Sequence, residues 1–129
     1  METRKKMKTE LAKAPAIVER LDPEYFQKVK SLFHHSHFAR EGARLPEKFK
    51  QMLVMAVAAA SHQREGIQIH MRRALEAGAS QQEILEALEA IAIPAGFPAL
   101  WYGALVLEEE MTAREEGKAR EEELFPWNK

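Results

Sequence analysis

The heptapeptide Ala77-Gly78-Ala79-Ser80-Gln81-Gln82-Glu83 is a complete junction between two helices, and it constrains the fold more than any other part of the chain. Glycine takes positive φ without a Cβ penalty, so Gly78 ends the helix before it. Ser80 and Glu83 then form a capping box, in which serine oxygen and glutamate carboxylate satisfy the first free amides of the next helix. Upstream, Ile67, Met71, Ala74 and Leu75 lie at i, i+4, i+7 and i+8, one apolar stripe of an amphipathic helix. Downstream, Ile84, Leu88 and Ile91 share a face, with Leu85 and Ala92 beside them. Pro94 is expected to stop this second helix, Gly96 to turn the chain, and Pro98 to open a third helix running through Trp101 and Leu105.

The remainder agrees with that beginning. Asp22-Pro23-Glu24 is a helix start, with aspartate as cap and proline in the first turn, and the helix it opens is expected to bury Phe26, Val29 and Phe33. A further short helix fits residues 11 to 21, after a frayed basic start at Arg4, Lys5, Lys6 and Lys8. Gly42 and Leu45-Pro46 separate this part from the core. No segment alternates with period two for long enough to make a strand, and helix-favouring residues dominate. The chain therefore reads as all-α, with about five to six helices. At 129 residues it is expected to be a single domain, with a core over about 23–116 and terminal extensions at 1–21 and 117–129. The charged run from Glu108 to Leu124 reads as a solvated face or loose tail. Phe125 and Trp127 leave open a tail that docks on a neighbouring subunit.

Charge and composition exclude several classes. A net charge of −1, with no interleaving of basic and aromatic residues, argues against nucleic acid as a partner. No apolar run approaches the roughly 20 residues that cross a bilayer. With no secretory leader and no cysteine, the expected location is cytoplasmic. No phosphate-cradling glycine loop is present, and no cofactor is expected. Phe33-His34-His35-Ser36-His37-Phe38 gathers three of the five histidines. His34 and His37 share a helix face as a metal pair can, and Glu65 could add an oxygen. Zinc needs three or four converging groups, no fixed-spacing motif supplies them, and the expectation is no metal. His37, on the side of Phe33, is instead a candidate pocket-lining residue.

His70 is the candidate that carries chemistry. It follows Ile67 by three residues and precedes Ala74 by four, which places an imidazole on or beside the apolar stripe. It is either a core histidine whose ring nitrogens are satisfied by protein groups, or a proton-transfer group in a pocket.

Taken in order, these segments resemble the carboxymuconolactone decarboxylase and alkylhydroperoxidase-D-like superfamily. The resemblance rests on Leu45-Pro46-Glu47, the small apolar run Met52 to Ala60, His70-Met71-Arg72-Arg73-Ala74-Leu75, Glu76-Ala77-Gly78-Ala79-Ser80, and Glu83-Ile84-Leu85-Glu86-Ala87-Leu88. It covers roughly residues 45 to 106. It implies an orthogonal helical bundle that assembles as a homo-oligomer, a trimer or hexamer. Gln63 and Gly66 stand where peroxidase members carry their two cysteines, and Gln51 where they carry a glutamate. Thiol peroxidase chemistry is therefore closed to this chain.

His70 followed by Arg72 is similar to the decarboxylase branch, which implies a lyase acting on a small cyclic organic acid. His70 would supply the proton, and Gln51 and Gln63 would be neutral donors to the substrate. Arg73, about 60° around the helix from His70, would hold a carboxylate, whereas Arg72, about 200° away, would be solvated or at an interface. The other reading is a non-catalytic helical oligomer that serves as a binding or scaffolding module.

Overall fold

In the computed structural model, residues 13–117 are described. They form six α-helices, with no strand among them: α1 Ala14–Leu21, α2 Pro23–His37, α3 Glu47–Ala60, α4 Arg64–Glu76, α5 Gln81–Ala95 and α6 Phe97–Glu115. The basic N-terminus and the Phe125 and Trp127 tail lie outside the described residues. The chain divides into two compact units at Arg40, and all of α3 to α6 belongs to the second.

In the first unit α1 and α2 are joined through Asp22, whose carboxylate accepts from the Tyr25 amide at 3.0 Å and caps α2. Phe26 is buried, while Val29 and Phe33 are half-buried. The histidine cluster closes this helix in ring contacts. His37 meets Phe33 edge-on at 4.2 Å between centroids, and His34 lies 5.0 Å from Phe38. Among the described residues no group of three or more His, Cys, Asp or Glu is placed to hold a metal ion.

The second unit is two helical hairpins packed around Met55, Ile67, Met71, Ile84, Leu88 and Val106. Both turns flanking α4 are Schellman motifs. After α4, the Ala79 amide reaches the Ala74 carbonyl and the Gly78 amide the Leu75 carbonyl, with Gly78 at φ 104°. After α3, Gln63 donates to Ala58 and His62 to Ala59, with His62 taking the left-handed position at φ 56°. The capping box at α5 forms as expected, with Glu83 N to Ser80 Oγ at 3.0 Å and Ser80 N to Glu83 Oε1 at 2.9 Å. Helices α5 and α6 approach so closely that a Cβ on Gly103 would stand 2.5 Å from Leu88 Cδ2.

Three expectations about these helices are corrected. Pro94 does not stop α5, which continues to Ala95. Proline's fixed φ suits a last helical turn, and the Ala90 carbonyl that it leaves without an amide lies on an exposed residue. Leu85 is exposed rather than packed beside Leu88. The charge run beginning at Glu108 is not simply a solvated face, because Glu110 is 1% exposed. Among the described residues, no helix is long and apolar enough to cross a membrane.

Candidate functional site

Helix α3 and helix α4 each contribute one polar side chain to their shared interior. Gln51 stands one turn into α3 and is fully buried, and His70 stands in the middle of α4 at 8% exposure. His70 Nδ1 and Gln51 Oε1 are 2.8 Å apart. An amide oxygen can only accept, so Nδ1 carries the hydrogen and the neutral ring keeps its basic lone pair on Nε2. Gln51 thereby selects one tautomer of His70. A carboxylate at position 51 would favour the imidazolium by charge, whereas the neutral amide orients the ring without that pull.

The other proposed positions are distributed differently. Arg73 is buried, and all three guanidinium nitrogens are shielded from solvent, on the same helix as His70. Gln63 is exposed at the N-cap of α4, two helical turns or about 10 Å along the axis from His70. Its side chain makes no cap hydrogen bond. His37 is in the first unit, against Phe33.

Arg72 is neither solvated nor at a free surface. Its side chain is 12% exposed and that of Glu110 is 0% exposed. Its Nη2 and Nε donate to Glu110 Oε1 at 2.8 and 3.2 Å, and Nε also approaches Oε2 at 3.4 Å. Arg64, two turns earlier on α4, pairs with Glu109 of α6. The sequence signal for Glu110 is the spacing Ala99, Gly103, Val106, Glu110, in which the buried face of α6 runs on into the acidic segment.

Gln63 and Gly66, the positions at which the resemblance puts a cysteine pair in peroxidase members, stand close together. A Cβ on Gly66 would stand 3.7 Å from that of Gln63, within the range two bridged cysteines occupy, and 3.1 Å from that of Ala58. Neither residue has a sulfur, and a side chain at position 66 would crowd Ala58. The carboxymuconolactone decarboxylase family model matches residues 23–109, two thirds of the chain, and reaches back across α2. The chain belongs to the carboxymuconolactone decarboxylase family. Among solved structures it is similar to a candidate carboxymuconolactone decarboxylase from Burkholderia xenovorans, with 25% identity and a TM-score of 0.68 over 81% of this chain and 82% of that one. A comparison with curated proteins finds no match. Within the carboxymuconolactone decarboxylase family this member has no cysteine anywhere in its sequence. A thiolate nucleophile is thus absent, and the polar centre of its core unit is an imidazole held by an amide.

Proposed function

We propose that this protein is a carboxy-lyase of the carboxymuconolactone decarboxylase type, in which His70 transfers a proton to a small cyclic lactone acid. The observation that carries the reading is the buried Gln51 and His70 pair. Burying two polar side chains in an alanine-rich seam disfavours folding unless each is satisfied. Together they produce a ring of defined tautomer, whose Nε2 lone pair can take up a proton and pass it on.

In the reaction the bond from the ring carbon to the carboxylate breaks and carbon dioxide leaves. The electron pair passes into the lactone carbonyl as an enolate. The His70 ring, having taken a proton from solvent on its Nε2 lone pair, delivers that proton to carbon and returns to its neutral Nδ1–H tautomer. Arg73 is the cation assigned to the substrate carboxylate, three residues from His70 on the same helix. The assembly is taken to be a homo-oligomer, as the resemblance implies.

The test is carbon dioxide release from a panel of lactone acids by wild type and His70→Gln, alongside NMR titration of the His70 ring. The expected result is turnover of at least one acid, a ring shift on its addition, and a loss of about 10²- to 10⁴-fold in kcat in the variant. If no lactone acid is decarboxylated and none moves the ring, the lyase reading falls and the non-catalytic module stands.

A further inference from the structure

Helix α4 is held by polar contacts on opposite sides. His70 faces Gln51 on α3, while Arg72, about 200° around the helix, faces Glu110 on α6. Between them, small residues line part of the seam with α3, beside the buried Met55, Ile67 and Met71. Gly66 lies against Ala58, and Ala59 and Ala74 are fully buried. Helices keep their rotational setting by fitting side-chain ridges into grooves, and small residues offer little relief. A rotation of α4 by about 10° moves a side-chain tip at a radius of about 5–6 Å by about 1 Å, enough to lose a hydrogen bond of normal length.

A buried ion pair is a poor way to gain stability, because an apolar pair of the same volume does as well or better. Its advantage is geometric. A guanidinium that places both Nε and Nη2 on one carboxylate fixes direction as well as distance. We infer that Glu110, acting through Arg72, is a positioning residue that sets the rotation of α4 and so holds the His70 ring in its Nδ1–H tautomer against Gln51.

The inference rests on the proton-transfer reading for its functional consequence, but its structural half can be read without any substrate. The experiment is nitrogen-detected NMR of the His70 ring in wild type, in the doubly apolar variant Arg72→Met with Glu110→Leu, and in Arg72→Lys. The doubly apolar variant removes both charges together and leaves no buried ion uncompensated. Arg72→Lys keeps the charge and loses the two-point contact, and it decides the matter should the first variant not fold.

In wild type a single Nδ1–H tautomer is expected. In either folded variant, at unchanged thermal midpoint or not, the ring is expected to become a mixture of both tautomers, with kcat down roughly tenfold to a hundredfold and KM little changed. A folded variant whose His70 signals match wild type overturns the inference, since a merely structural pair would leave the ring untouched. The two readings also fail separately. Tautomer mixing in a protein that turns over no acid removes the lyase and keeps the positioning role. An unchanged ring in an enzyme that does turn over acid removes the positioning role alone.

Discussion

His62 shows what a single residue contributes at a turn. It ends α3 in the left-handed conformation that Gly78 supplies after α4, but with a side chain attached. A non-glycine residue there costs about 1–2 kcal/mol. The ring is exposed and approaches Tyr102 edge-on, with ring centroids 6.1 Å apart. His62→Gly is therefore expected to stabilise the protein by about 0.5–1 kcal/mol, the relief of strain being partly offset by a freer unfolded chain. Urea unfolding measures it, and a destabilised variant would show that the ring holds α6 more firmly than its exposure suggests. The same scale separates what the sequence showed from what it hid. His70 was legible because an imidazole on an apolar stripe breaks the helical pattern. Glu110 was harder to read, because a glutamate among glutamates breaks no pattern and its one signal is the spacing that continues the face of Ala99, Gly103 and Val106. Arg72 was misjudged because helix geometry gives the direction of a side chain from its own axis but says nothing of the helix it meets.

At the scale of the element, the start of α5 couples local capping to tertiary contact. The Ser80 amide, which donates to the Glu83 carboxylate, and then the Lys48 ammonium at 3.0 Å hold Glu83 below its ordinary pKa. A carboxylate with a lowered folded pKa binds its proton more weakly in the native state than in the unfolded one. Its contribution is therefore complete above the unfolded value, near 4.3 for glutamate, and is lost as pH falls through the lower folded value. Glu83→Gln is expected to be less stable than wild type at neutral pH. The gap should close as pH falls below about 4.3. Thermal unfolding across pH 3 to 7 checks it, and a gap independent of pH would mean that capping geometry rather than charge carries the effect. Helix boundaries of this kind were readable because glycine, serine and proline act through their own backbone and neighbours. Where the expectation erred, at Pro94 and Leu85, the outcome depended on whether the adjoining surface was covered, which no local rule contains.

At the scale of the whole molecule, the second unit carries more exposed apolar surface than its own core requires. Phe49, Leu53 and Val57 recur every fourth residue on α3, and Phe97, Trp101 and Leu105 do the same on α6, with Tyr102 beside them. Each is between 40% and 66% exposed, and Phe97 stacks on Trp101 with ring centroids 6.0 Å apart. Summed over both stripes, the seven side chains present on the order of 800 Å² to solvent, about what one partner buries in a standard interface. A second copy of the chain is the occupant that the proposed homo-oligomer supplies. Placing a charge at the centre of each stripe should then split the assembly without touching the core, because Leu53 and Trp101 are 58% and 60% exposed. Leu53→Glu and Trp101→Glu are expected to lower the mass measured by light scattering to that of a smaller species, while helix content by circular dichroism is kept. If wild type already runs as a monomer of 14.7 kDa, or if both variants keep the wild-type mass, these faces do not join copies of the chain and the homo-oligomer loses its physical basis.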